Sequence, residues 1–134
     1  MLGLDTNVLV RYLVQDEPQQ CQRAKRLLAR ELAKGEPVLI SLLVLLETEW
    51  VLRSLYAYSR ERIHAGLTAF IGLRSVSSEH PERIAEALDW FEQGMDFADA
   101  LHLAAADDCS SFATFDRKLV ASARKAKAAK VKAL

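Results

Sequence analysis

Short apolar runs alternate along the chain with longer stretches in which apolar residues recur every three or four positions. Leu2 to Leu4 stops at Asp5, and Val8-Leu9-Val10 restarts the apolar pattern, which predicts a strand running into a helix that continues to Val14. Gln15-Asp16-Glu17-Pro18 breaks that helix and starts another, with acids ahead of it and Pro in its first turn. Cys21, Ala24, Leu27, Leu28 and Leu32 repeat at helical spacing, and Gly35 supplies the stop. Pro37 to Ser41 is short and apolar, a second and buried strand. Ser41 is placed to cap a helix running to about Tyr56, whose first polar side chain after the cap is Glu47. Ser59 is placed to cap another, with Ile63, Leu67, Phe70 and Ile71 on one face. Val76 marks a very short strand, and Ser78 and Pro81 open a helix that Gly94 closes. Met95 to Ala106 reads as an Ala-rich helix with an acidic start, and Ser111 to Phe115 as a strand ending on Asp116. A basic helix follows over about 117–128, then a last edge strand or a frayed basic tail within 125–134. Strands alternating with helices predict an α/β fold: one domain over 1–134, with a central parallel sheet of about four to five strands flanked by helices on both faces.

Composition narrows the class. A hydrophobic content of 51% supports a sizeable core. The longest apolar run, Leu42 to Leu46, is far short of the roughly 20 residues a membrane-spanning helix needs. No basic segment followed by a long apolar one suggests a leader, and Cys21 and Cys109 form no CxxC, which fits a cytoplasmic protein with reduced, buried thiols. Net charge is zero, from 18 bases and 18 acids, but seven bases and no acid follow Asp116. An acidic cluster beside a basic tail suits a phosphate polymer held near metal ions, although for the tail alone a solvated helix face with a frayed end is the better account.

Four acids stand out: Asp5, Glu47, Asp99 and Asp116. Asp5 and Asp116 each follow a strand and begin a helix, and the carboxyl ends of parallel strands are where open α/β sheets bind ligands. Each also has a plain structural account. Asp5 and Asp116 are in position to be N-caps, and Asp96 with Asp99 resembles a capping box. Glu47 fits that account least, because it interrupts an apolar run where Leu would pack better. Clustered carboxylates repel, and a divalent cation relieves the repulsion. Oxygen ligands with no Cys or His at metal spacing favour Mg²⁺ or Mn²⁺. There is no Gly-rich phosphate loop, and His64, His80 and His102 have no nucleophile motif around them.

Four segments in order, Leu4-Asp5-Thr6-Asn7-Val8-Leu9-Val10-Arg11, Leu46-Glu47-Thr48-Glu49-Trp50-Val51-Leu52-Arg53, Asp96-Phe97-Ala98-Asp99-Ala100-Leu101-His102 and Ala113-Thr114-Phe115-Asp116-Arg117-Lys118-Leu119, resemble the PIN-domain proteins, and among them the VapC-type toxins of bacterial toxin–antitoxin pairs. The resemblance covers nearly the whole chain. It implies metal-dependent cleavage of RNA, with Asp5, Glu47, Asp99 and Asp116 as the catalytic, metal-holding quartet and Asp96 as an auxiliary ligand. It implies supporting roles for Asn7 and Thr114, and ranks Glu47 above its neighbour Glu49. It also implies Mg²⁺ or Mn²⁺ as cofactor, a homodimer, and a small antitoxin partner. Arg11, Arg53, Arg117 and Lys118 lie close in sequence to these acids and are candidates for contacts to the RNA backbone. Read without the resemblance, the same acids also suit a metal-dependent DNase or phosphatase, or a non-catalytic binding module.

Overall fold

A computed structural model describes residues 1–128 and 130–134. Position 129, inside the stretch expected to be a basic tail, lies outside the described residues. The order of elements is β1 (Leu2–Gly3), α1 (Thr6–Val14), α2 (Pro18–Lys34), β2 (Val38–Ile40), α3 (Leu42–Ser54), α4 (Arg60–Ile71), β3 (Val76–Ser78), α5 (Pro81–Glu92), α6 (Phe97–Ala105), β4 (Phe112–Thr114), α7 (Arg117–Lys125) and β5 (Val131–Ala133). Two compact units divide the chain, residues 1–81 and 82–134.

The first unit holds a parallel sheet in the order β1-β2-β3. Val38 is central, opposite Leu2 on one side and Val76 on the other. Val38 and Ile40 are fully buried, as befits a strand with neighbours on both edges, and α1 packs on α2 and α3. The helix signals work as their chemistry dictates. Ser41 Oγ accepts the Val44 N–H and Ser59 Oγ accepts the Arg62 N–H, each satisfying a donor the helix leaves orphaned. Gly35 ends α2 at φ 76°, a left-handed conformation in which a Cβ would be strained. Leu9, Leu45, Leu52, Ile63, Leu67 and Phe70 fill the core.

The second unit pairs β4 with β5 in parallel and packs Ala87, Met95, Ala100, Leu103, Leu119 and Ala123 together. The small Ala side chains allow close approach of α5, α6 and α7.

The expectation of a four- to five-stranded sheet is corrected: the main sheet has three strands, and β4 and β5 form a ladder of their own. β1 is two residues long with both residues exposed, so it offers too few backbone groups for a second ladder. Three boundaries move as well. The helix expected to reach Tyr56 ends at Ser54, and the one expected over 117–128 ends at Lys125. Ser78 lies in β3, so α5 begins at Pro81 alone. Of the two expectations for the tail, the edge strand holds over Val131–Ala133. Cys21 is buried but Cys109 is exposed, against expectation, because it follows α6 in a turn, and turns run over the surface.

Candidate active site

In the first unit, β1 and β2 are parallel neighbours, so the helices that follow them start at the same edge of the sheet. Asp5 occupies the N-cap of α1 with extended backbone, yet its side chain makes no capping hydrogen bond. The structural account of Asp5 as a cap therefore fails. Its carboxylate is exposed and uncommitted among the described residues. Beside it the Thr6 hydroxyl is buried without a hydrogen-bond partner among the described residues, an orphan that normally carries a cost. Asn7 is exposed, and no hydrogen bond joins it to a carboxylate among the described residues.

Glu47 and Glu49, two residues apart on α3, have opposite fates. Glu49 is 2% exposed and its carboxylate receives the Arg53 guanidinium at 2.8 Å, one turn away. Glu47 points outward and is uncommitted among the described residues. Leu43 and Trp50 share its face at helical spacing and are 69% and 53% exposed. The apolar run that opens α3 is thus only partly core.

In the second unit the acids are fixed by backbone donors. Asp96 Oδ2 accepts the Asp99 N–H at 3.1 Å, one half of the expected capping box. Asp116 Oδ1 accepts both the Lys118 and the Leu119 N–H, at 2.9 and 3.2 Å. Its own N–H donates to Thr114 Oγ1 at 2.9 Å, so Thr114 orients the Asp116 backbone rather than its carboxylate. Both capping bonds use one oxygen, which leaves Asp116 Oδ2 without a hydrogen bond among the described residues. Burial, then the negative charges of Asp96 and Asp116, hold the half-buried Asp99 carboxyl above the usual range, while His102 opposes the rise. Asp99 therefore lies within electrostatic reach of Asp96 and Asp116.

The candidate backbone contacts also separate. Arg11 is committed: its Nε donates to Gln20 at 2.6 Å, and Nη1 donates to Asp16 and the Tyr56 hydroxyl. Arg53 is engaged by Glu49. Arg117 and Lys118 are exposed beside Asp116. Sequence reasoning passed over Phe115, which is 82% exposed next to Asp116 although it continues an apolar strand pattern. It also passed over the pairing of Glu49 with Arg53, for which the Glu-x-x-x-Arg spacing was the available signal.

A family model for the PIN domain matches residues 3–125. The chain belongs to the PIN-domain family. Neither the curated proteins nor the solved structures contain a match to it. PIN domains are typically metal-dependent nucleases that use divalent ions. The residues of this PIN domain fit such an ion by their chemistry: they are hard oxygen donors, and Asp99 lies within electrostatic reach of the carboxylates of Asp96 and Asp116, whose charge a cation would offset. Among the described residues, no group of three or more His, Cys, Asp or Glu side chains is already gathered for a metal. Among the described residues, no helix is long and apolar enough to cross a membrane.

Proposed function

We propose that this PIN domain is a Mg²⁺- or Mn²⁺-dependent endoribonuclease and the toxin of a toxin–antitoxin pair. The observation that supports it most is the grouping of Asp99 with Asp96 and Asp116: burial first, and then the charges of those two acids, hold the Asp99 carboxyl above its usual range. Such an arrangement is costly in a module with no cation to bind.

Asp5, Glu47, Asp99 and Asp116 would hold the metal, with Asp96 auxiliary to them. When bound, the ion supplies Lewis acidity that lowers the pKa of water and offsets charge on the leaving oxygen. The chain supplies orientation. The two backbone N–H groups on Asp116 Oδ1 fix the carboxylate plane, and Thr114 fixes the backbone that carries it. Asp99 holds its proton more tightly than an ordinary Asp, so metal entry competes with protonation there. Arg117 and Lys118 are placed to meet phosphate next to Asp116. Attack by water leaves the 2′-hydroxyl idle, so the products carry 5′-phosphate and 3′-hydroxyl ends; 2′,3′-cyclic ends would overturn this mechanism.

The homodimer and the antitoxin belong to the same proposal. Support for a covered surface comes from Leu32, Leu43, Trp50 and Leu55, large apolar side chains that are 48–69% exposed on or beside α2 and α3. A cytoplasmic location accords with two cysteines that are both free.

A second reading has an observation of its own. The caps at Asp96 and Asp116 are what a non-catalytic module would also show. Asp5, which caps nothing, is where the two readings part. Cleavage of a structured RNA by purified protein, with Mn²⁺, with EDTA, and by Asp5→Asn, separates them: cutting that requires both metal and Asp5 supports the nuclease. Single-stranded DNA of equal sequence, run beside the RNA, distinguishes the RNase from a DNase on the same acids. Inorganic phosphate released from a phosphomonoester would instead indicate a phosphatase.

A further inference from the structure

Helix α2 carries five bases, Arg23, Lys25, Arg26, Arg30 and Lys34, against one acid, Glu31. Glu31 is turned inward, 7% exposed, and paired with Lys34 at 3.3 Å. An ordinary solvated helix face intersperses the two signs. This one does not, although the whole chain has no net charge. Arg23, Arg26 and Arg30 follow one another at spacings of three and four, so they line one face. None of the three makes an ion pair or hydrogen bond among the described residues.

These three and Arg11 of α1 line a groove of about 490 Å³ with no acid on its wall. Arg11 is already held by Gln20, Asp16 and Tyr56, so it shapes the wall of the groove and leaves contact with the ligand to the three arginines of α2. Asn7, two residues past Asp5, lines the same groove, so it opens beside a proposed metal-holding acid. Three cations at regular helical spacing suit an anion whose charges are regularly spaced. The three guanidiniums of Arg23, Arg26 and Arg30 favour planar, bidentate recognition of phosphate over a diffuse attraction to anions. Arg23 to Arg30 spans about 10 Å of helix at 1.5 Å per residue. Long Arg side chains fan out from that stretch, so each of the three guanidiniums can meet one of three successive phosphates of a strand.

We propose that the arginine-lined groove between α1 and α2 holds the phosphate backbone of single-stranded RNA, about three phosphates long, leading away from the Asp5 end. This rests on the nuclease reading above and gives it a direction of substrate entry. Contacts of this kind position the strand without reading its bases.

The test is binding of a fluorescein-labelled 12-nucleotide single-stranded RNA to the full chain in EDTA, followed by anisotropy over a range of salt. Each phosphate contact to a single strand contributes about 0.7 to the slope of log affinity against log salt. The variant Arg23→Gln, Arg26→Gln, Arg30→Gln is expected to bind at least tenfold more weakly and to lose about 2 from that slope. Gln is nearly as good a helix former as Arg, and the far-ultraviolet circular dichroism of the variant verifies the helix. The charge-matched variant Lys125→Gln, Lys127→Gln, Lys132→Gln is expected to keep the slope. The triple Arg→Lys variant, which keeps charge but not the fork, is expected to recover the slope with only part of the affinity.

A wild-type slope in the Arg→Gln variant overturns the proposal, and so does an equal loss in the Lys→Gln control. Displacement of the RNA by polyglutamate as readily as by unlabelled RNA overturns it in favour of an acidic protein partner. Failure of the nuclease reading looks different. Arginine-dependent binding with no Mn²⁺-dependent cutting supports the groove and removes the nuclease. Cutting with binding that ignores the arginines does the reverse.

Discussion

The acids of residues 1–81 and those of residues 82–134 are held in different ways. Asp5 and Glu47 are exposed and bound to nothing among the described residues, in a unit whose buried acids, Glu31 and Glu49, are each answered by a base. Asp96 and Asp116 instead spend an oxygen on helix N-termini, where backbone N–H groups and the helix dipole favour negative charge. Asp99, between them, shows the strain that remains. A carboxylate used as a cap is fixed in direction but contributes to stability. A carboxylate that caps nothing contributes little to stability, and its presence calls for another explanation. The first kind confounds structure with function, and the second separates them.

The sharpest way to break that contrast is Asp5→Asn. Activity is expected to fall at least about 100-fold, the scale on which removing one charge-stabilising group acts, while stability stays within about 0.5 kcal/mol because no cap is lost. Metal-dependent cleavage and a urea midpoint, measured on the same preparation, check both halves. Activity that survives would return Asp5 to a merely structural role.

Glu47→Gln and Glu49→Gln should give opposite results. Glu47→Gln costs activity and leaves the urea midpoint in place. Glu49→Gln costs about 1–2 kcal/mol and spares activity, since it weakens a charge-assisted bond to a half-exposed Arg53. Finding both effects in one variant would show that the two side chains share a role.

Asp116→Ala is expected to cost about 1 kcal/mol, the usual value of an N-cap, on top of activity. Asp116→Asn keeps an acceptor for Lys118 and Leu119 and should lose activity alone. Equal unfolding midpoints for the Ala variant and the wild type would mean the cap contributes nothing.

The smallest effect is the pH dependence of Asp99. Its folded-state pKa is raised, so the folded chain keeps this proton longer than the unfolded one. The resulting stability is fully present below the ordinary value of 3.8 and is lost as pH climbs through the raised value. In EDTA, Asp99→Asn should therefore lose that decline, so that with rising pH its unfolding midpoint falls less, or rises more, across that window than the wild-type midpoint does. Identical pH profiles would mean that Asp99 is not under the electrostatic load described here.

Helix starts and stops were legible because single residues decide them: Ser41 and Ser59 as caps, Pro18 in a first turn, Gly35 at a positive φ. The family was legible as well, since its acidic segments are local in sequence. Strand pairing was not. A strand of two or three residues carries no period, and which strand it pairs with depends on contacts distant in sequence. The commitments of individual side chains were equally hidden. Nothing local says that Arg11 will find Tyr56, 45 residues on, and so be withdrawn from free contact with phosphate. The stripe Arg23, Arg26, Arg30 was in plain view as the polar side of a helix, but its meaning depends on α1 closing the groove from the other side.

The central position of β2 has a consequence for how the chain folds. Both ladders it makes, to β1 and to β3, join segments separated by two whole helices, so each closes a long loop before any strand–strand bond repays the entropy. Helices form faster than such pairings. The edge that carries Asp5 is then among the last parts of the first unit to be set. Shortening Leu4, which is 7% exposed and donates its N–H to Leu39, would accelerate unfolding more than it slows folding, so stopped-flow chevrons of Leu4→Ala would shift chiefly in the unfolding arm.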